Sequence, residues 1–498
     1  MNVETAARLM NASISETAKE ETRRQEVSGF AVDSRAVEKG QIFFAGSEED
    51  YRRHSFTGTS FEDSHRFIPQ AFERGAAAVV ARRERFEMHE EGRSFADRTL
   101  FVDDTIGALQ TLAQAVLKNW GHPIVGITGS AGKTTTRNLT AGILSSAGRR
   151  VLQSQKNYNN ELGLPLAILQ MESAGNKPSD YDVAVLEMGM STPGEMRRLC
   201  EIVQPDVAVE LLISPVHLEF FGTVERIAEG KAELVKALDE SGTAVLNADD
   251  ERVARMRELH QGRTVTFGID MEADVMAFDI EDAQLERTRF RLRTPCGEAR
   301  VELPLPGRHN LMNALAAAAV GVCFEIAPEK IARALQHSAP SSMRGEVLHF
   351  KDGFTVVDDS YNSNPRSLVS MVQALVAGGK GEMVKRRIVV AGEMLELGTE
   401  AAAMHREAGA EIARAGIDFL WGVRGHAREL IEGARAVGIK EERTRFFENS
   451  EEAAGALAGW LQKGDLVLVK GSRGVQTDWI VKFLRERFEA NDEVRDNG

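Results

Sequence analysis

A strand candidate, Ile124-Val125-Gly126-Ile127-Thr128, runs into Gly129-Ser130-Ala131-Gly132-Lys133-Thr134-Thr135, and a helical stretch follows to about Ser146. This junction restricts the fold more tightly than any other part of the chain. Glycines let successive backbone N–H groups turn toward an anion, and the start of the following helix adds partial positive charge. Lys133 can reach the β- and γ-phosphates of a nucleotide, and the Thr134 hydroxyl can meet Mg²⁺. The full-length pattern has glycine where Ile127 stands, so the loop is a shortened GxxGKT form. A Gly-Lys-Thr turn without function is the competing reading. The strand–turn–helix setting favours nucleotide binding.

Strand candidates recur at Asp182 to Leu186, Asp206 to Val209 and Thr243 to Leu246, separated by helical stretches. That alternation predicts a doubly wound, mostly parallel sheet. Residues 263–305 differ: alternating segments such as Thr288-Arg289-Phe290-Arg291-Leu292 read as an antiparallel flap on this central unit. Before it, residues 1–104 mix short apolar runs with charge clusters and read as a small α/β unit. Asp103 and Asp104 then suit the start of a helix over Ile106 to Leu117. Beyond Ser342, strand candidates at Phe354 to Val357, Arg387 to Ala391, Phe419 to Val423 and Leu466 to Val469 alternate with helices in a Rossmann-like manner. The fold class is α/β in three domains, 1–104, 105–341 and 342–498. That fits 498 residues at roughly 150 per domain. The tail after Glu489 reads as disordered.

Composition narrows the function. With 61 basic and 75 acidic residues the net charge is −14, which argues against nucleic-acid partners held by a basic surface. Cys200, Cys296 and Cys323 lie far apart, so neither a disulfide framework nor a cysteine-rich zinc site is supported. The longest apolar stretch, Ala314 to Ile326, spans 13 residues, short of the about 20 that cross a bilayer. The first 25 residues lack the apolar core of a signal peptide. A soluble, cytoplasmic protein is expected.

Three further residues merit attention. Glu187 closes the apolar run from Val183, at the carboxyl edge of the sheet where α/β sites form, and a carboxylate there could hold the metal that ATP chemistry needs. An ordinary strand-end charge is the alternative. His217 follows the next strand onto the same rim, as a metal ligand or a structural histidine. Lys231, taken alone, reads as a solvated helix lysine.

More of the sequence joins the loop in one pattern. Its parts are Asn157 to Pro165, Leu186-Glu187-Met188-Gly189, His217-Leu218-Glu219-Phe220, Gly230-Lys231 and Gly307-Arg308-His309-Asn310. Met343-Arg344, Asp358 to Pro365 and Lys470 to Gly474 complete it. Over nearly its whole length the chain resembles the Mur ligase family, the ATP-dependent amide-forming enzymes of peptidoglycan precursor synthesis. The resemblance implies ATP, two Mg²⁺ ions and a catalytic group of Lys133, Glu187, His217 and Lys231. Thr134, Glu187, His217 and Lys231 would hold the metals, with Lys231 carbamylated by CO₂ into an anionic oxygen ligand. Residues Gly129, Ser130, Ala131, Gly132, Lys133, Thr134 and Thr135 would cradle the phosphates. Asn310 would contact adenine, and Arg344 and Asp359 would reach phosphates and ribose from the third domain.

The stretch Asp358 to Pro365, with Gly392 to Gly398, is similar to the branch that adds D-alanyl-D-alanine to UDP-N-acetylmuramoyl-tripeptide. Asp33-Ser34-Arg35 and His65 to Ile68 resemble its uridine-nucleotide domain, which makes Ser34 and Arg35 candidate substrate contacts. Asn159, Asn160, Asn362 and Asn364 are further candidates. The chain departs from the pattern at Asp63-Ser64-His65, where Asp-Gly-His is usual, behind a lengthened loop 46–62. The alternatives are another amide ligase of the family, adding a diamino acid or glutamate, and an ATP-hydrolysing switch. Diaminopimelate and lysine stay equally open as third residue of the tripeptide. A monomer is expected, with Arg344 and Asp359 closing toward the phosphate loop.

Overall fold

The computed structural model describes residues 1–54, 56, 62–155, 158–281, 285–340, 342–379 and 384–491. Asn157 of the quoted pattern, part of loop 46–62 and the tail from 492 fall outside them. Among the described residues the strands form three sheets.

The first contains β1 (Ser13–Ile14), β2 (Gly29–Ala31), β3 (Gln41–Phe44), β4 (Ala78–Arg82) and β5 (Thr99–Val102), in the order β1-β5-β4-β3-β2. All neighbours are parallel except β1 and β5. The second contains β6 (Ile124–Thr128), β7 (Val151–Gln153), β8 (Val183–Glu187), β9 (Val207–Glu210), β10 (Thr243–Asn247), β11 (Arg263–Gly268), β12 (Val275–Glu281), β13 (Thr288–Thr294) and β14 (Gly297–Leu303). Its order is β14-β13-β12-β11-β10-β9-β6-β8-β7. The third runs β15-β16-β20-β17-β18-β19, from β15 (Glu346–His349), β16 (Thr355–Asp358), β17 (Arg386–Gly392), β18 (Phe419–Val423), β19 (Thr444–Phe447) and β20 (Asp465–Lys470).

In the second sheet β6, β8, β9 and β10 are buried along their whole length, as strands covered on both faces must be. Alternation sends Val125, Ile127, Val185 and Val209 to a layer shared with helices Lys133–Ser146 and Arg308–Cys323. Ala184, Leu186, Ala208 and Leu246 join the opposite layer. That layer also takes Leu109, Leu112 and Val116 of helix Thr105–Trp120, together with Val3, Ile42 and Val80 of the first unit. One apolar mass thus joins the first two units through this helix. Asp104 caps its start by accepting the Gly107 N–H at 2.9 Å, and Gly121, at φ 66°, ends it.

The flap over 263–305 needs correction. β11 pairs in parallel with β10, and β12 begins in parallel with β11, so only β12 to β14 are antiparallel, as a continuation of the same sheet. The alternation of β13 reflects an edge with one wet face. β11, with Val265 and Phe267 in the core and Arg263 exposed, belongs to the parallel body. Disorder was expected after Glu489, but Ala490 bridges Phe350 and the Asn491 N–H donates to the His349 carbonyl at 2.7 Å, so these two residues are held.

In the third unit, helix Pro365–Gly378 starts with a reciprocal cap between Asn364 and Ser367. Helices Ala401–Ala415 and Ala427–Ala436 cross almost backbone to backbone. A Cβ on Gly409 would lie 1.9 Å from the Leu430 carbonyl oxygen, and one on Gly433 would lie 1.8 Å from that of Arg406.

Candidate active site

The phosphate loop sits at the carboxyl end of β6, where the chain order reverses between β8 on one side and β9 on the other. Open α/β sheets bind ligands at such a crevice. Gly132 has φ 88°, and a Cβ there would meet the Asn313 Oδ1 at 2.2 Å. The position requires glycine on both counts. The Ser130 N–H donates to the Leu212 carbonyl at 2.8 Å, and the Ser214 N–H donates to Ser130 Oγ at 2.9 Å, which fixes the loop to the strand exit next door.

Lys133 folds back so that its Nζ donates to the Gly129 carbonyl at 2.8 Å. Burial pushes this ammonium below its ordinary range, Glu187 opposes that, and Arg344 adds to it. An incoming phosphate would supply the counter-charge that favours the ammonium form. Glu187, 3% exposed at the end of β8, accepts from Thr134 Oγ1 at 2.8 Å on one oxygen and from Asn159 Nδ2 at 2.9 Å on the other. Arg137 Nη1 lies 3.6 Å from the first of these oxygens.

These groups line one side of a cleft of about 1060 Å³. The third unit supplies the facing side. There Lys470 Nζ donates to Asp359 Oδ2 at 2.6 Å and to the Asn362 carbonyl at 2.8 Å, and the Arg344 guanidinium lies 4.0 Å from the centre of the Tyr361 ring. His309 also borders the cleft, and burial pushes its imidazole down to about 4. Asn310 lines the cleft with its Nδ2 donating to the Pro306 carbonyl at 2.8 Å. The first unit contributes His54 and Phe56.

The remaining candidates are placed as follows. Asn159, Asn160, Asn362 and Asn364 all line the cleft. Three of them already serve the backbone. Asn160 Oδ1 accepts the Gly163 N–H at 2.8 Å, Asn362 Oδ1 the Ser363 N–H at 2.9 Å, and Asn364 Oδ1 the Ser367 N–H at 2.9 Å. Ser34 and Arg35 are not among the cleft lining. Ser34 Oγ donates to Gln70 Oε1 at 3.0 Å, and Arg35 is exposed and paired with Asp33 at 2.9 Å. His217 reaches the rim in a left-handed conformation, φ 55°, and its Nδ1 is paired with Glu396 of the third unit, itself at φ 63°. Lys231 is 2% exposed, so the solvated-helix reading is wrong: helix Val224–Lys236 turns this face onto the sheet.

Sequence reading missed Glu210. It is 0% exposed, both its carboxylate oxygens lack a hydrogen-bond partner among the described residues, and it neighbours Lys231 and Lys133. Burial pushes its carboxyl up, and burial together with Lys133 pushes Lys231 down. Nothing in the run Asp206 to Val209 signals that the strand continues into a buried carboxylate. Lys470 and Tyr361 lie inside the stretches that carry the resemblance, but a matching string does not say which of its members faces the ligand.

The donor set suits one Mg²⁺ well. Thr134 and Glu187 already converge, and Mg²⁺ takes one or two such oxygens with nucleotide phosphates and water. A second cation finds less prepared. Among the described residues no three His, Cys, Asp or Glu side chains converge as a ready cage, and His217 is occupied by Glu396.

Comparison with known proteins gives the chain a family. The Mur ligase middle domain matches residues 127–321, and the Mur ligase glutamate ligase domain matches residues 343–473. The UDP-N-acetylmuramoyl-tripeptide–D-alanyl-D-alanine ligase of Bacillus subtilis (strain 168) is 34% identical over 465 residues, covering 92% of this chain and 93% of the relative. That of Escherichia coli (strain K12) is 31% identical, covering 91% and 93%. Among solved structures, MurF from Acinetobacter baumannii superposes with a TM-score of 0.81 at 27% identity, covering 97% of this chain and 98% of that one. MurF ligase from Thermotoga maritima in complex with ADP gives 0.76 at 28%, covering 94% and 98%.

Proposed function

This chain belongs to the Mur ligase family, and on that footing we propose that it joins D-alanyl-D-alanine to UDP-N-acetylmuramoyl-tripeptide, converting ATP to ADP and phosphate. The observation that carries the reading is the shared cleft. Lys133, Thr134 and Glu187 on the phosphate-loop side face Arg344, Asp359 and Lys470 on the third unit across one space. Domains 1–104, 105–341 and 342–498 would then hold the sugar nucleotide, ATP and the dipeptide. The reaction belongs in the cytoplasm, where ATP is made, and the chain acts as a monomer. No described helix is long and apolar enough to cross a membrane.

The chemistry follows from the substrates. A carboxylate resists attack by an amine because oxide would have to leave. Transfer of the γ-phosphoryl group onto that carboxylate gives an acyl phosphate; the dipeptide amine attacks its carbonyl carbon, and phosphate departs with the bonding pair. Lys133 exchanges the Gly129 carbonyl for the γ-phosphate and follows its charge as it moves. Thr134 and Glu187 would hold the cation, with Asn159 donating to Glu187. A cation held there would supply the positive charge that lets a second anion approach the triphosphate. Arg344 and Lys470, brought in from the third unit, shield the acyl phosphate from water.

Lys231 and His217 would serve a second cation, with Lys231 as its carbamate. Burial favours the uncharged amine that CO₂ requires. Carbon-13 NMR after incubation with labelled bicarbonate would show a carbamate resonance that Lys231→Ala lacks.

The decisive experiment offers an amine panel to the protein with ATP and two defined acceptors, one ending in lysine and one in diaminopimelate. Phosphate release that depends on D-alanyl-D-alanine, with a product heavier by one dipeptide in mass spectrometry, supports the reading. A product with glutamate or a free diamino acid replaces it with another ligase, and phosphate release without any amine replaces it with an ATPase.

A further inference from the structure

The lengthened segment after Gly46 carries a helix, Glu48–Arg53, anchored at both ends. At its start Ser47 and Asp50 cap one another, and the buried Asp50 also accepts the Thr105 N–H at 3.3 Å. Its end is His54. This imidazole lies between two carboxylates from different parts of the chain: Nε2 is 2.8 Å from Asp104 Oδ2 and Nδ1 is 3.3 Å from Glu161 Oε2. Glu161 is 1% exposed. Its other oxygen accepts from Arg198 Nε at 2.6 Å, and Gln110 Nε2 donates to its backbone carbonyl at 3.1 Å.

We propose that His54 is a positioning residue for the reaction: it clips the first unit to the segment Asn159-Asn160-Glu161 and so sets Asn159 against the cation-binding carboxylate Glu187. The route is short and fully bonded. His54 holds Glu161; Asn159, two residues earlier, donates to Glu187 at 2.9 Å; Glu187 accepts from Thr134 of the phosphate loop at 2.8 Å. A buried carboxylate such as Glu161 keeps its place only while its partners remain, so loss of one releases the segment that carries Asn159. His54 and Glu161 both border the cleft, which puts the clip beside the substrates. Burial opposes a charge on His54, but the hydrogen bonds to Asp104 and Glu161 outweigh it and raise its pKa to about 9. Arg53, 3.7 Å from Asp104, and Arg198 are the cations facing the same carboxylates.

The inference rests on the ligase reading for the role of Glu187. Its test therefore reads cation binding directly. Mn²⁺ binding to the full chain with ADP is followed by electron paramagnetic resonance for wild type, His54→Ala and Glu161→Gln. Orienting partners behind a metal ligand are worth ten- to a hundredfold in affinity, so both variants should bind Mn²⁺ about tenfold more weakly. The double variant should lose no more than either alone. His54→Gln, which keeps hydrogen bonding but not charge, should recover part of the loss. Unchanged Mn²⁺ affinity in a folded His54→Ala protein, even with a lowered unfolding temperature, would reduce His54 to a brace and overturn the proposal. Should His54→Ala not fold, the near-isosteric Glu161→Gln decides by the same readout. Amine-dependent phosphate release by wild type, run alongside, reports on the ligase reading separately.

Discussion

Single side chains set the chemistry. Lys133→Ala removes the only ammonium placed by the loop to follow a moving phosphoryl group. Stabilisation of that kind is worth about 2.7 to 4 kcal/mol, so amine-dependent phosphate release should fall about a hundred- to a thousandfold with the unfolding midpoint little changed. His54 gives a pH signature of its own. Its folded pKa, about 9, lies above the unfolded value of about 6.5. The stability it contributes is therefore complete below about pH 6.5 and disappears as pH rises through about 9. Chemical denaturation from neutral to alkaline pH should show a steeper decline for wild type than for His54→Gln. At this scale the sequence was legible where a spacing fixes a place: the glycines of the loop, Lys133 and Thr134 at the start of the helix, and a carboxylate at the end of β8. Glu210 and the His54–Glu161 clip were not, because their partners come from strands and helices that no spacing connects.

Elements were legible to the extent that burial repeats in a pattern. β6, β9, β10 and β18 begin and end within a residue of their expected bounds, since apolar β-branched runs between turns leave few alternatives. β7, β15 and β19 escaped notice; each is only three or four residues long. β11 was assigned to the wrong neighbours because alternation reports wet and dry faces, not direction. The crossing of Ala401–Ala415 with Ala427–Ala436 was also invisible, as nothing around Gly409 or Gly433 announces a facing backbone. Its geometry makes a firm prediction. Gly409→Ala drives a methyl into the Leu430 carbonyl, and overpacking of this sort costs typically one to three kcal/mol. Urea denaturation should register that loss, whereas Gly455→Ala, with open space around it, should not.

For the molecule as a whole, three sheets were foreseeable from alternating strands and helices, while the way they meet was not. Helix Thr105–Trp120 shares one apolar layer with both of the first two units, so these should behave as a single body. The third unit touches the centre through Leu285, which packs against its apolar core, and through polar contacts such as His217 with Glu396 and His309 with Ser370, which can exchange as it moves. Solution scattering should accordingly show a smaller radius of gyration once an ATP analogue and both substrates are present. Unchanged scattering would count against closure.

The cleft has walls from all three parts of the chain: His54 and Phe56 from the first, the phosphate loop from the second, and Arg344, Asp359 and Lys470 from the third. A rigid small molecule that spans any pair would act as a wedge, halting the enzyme by geometry without imitating nucleotide, sugar or dipeptide. Chemists seeking antibacterial leads could therefore look for compounds that prop this mouth ajar.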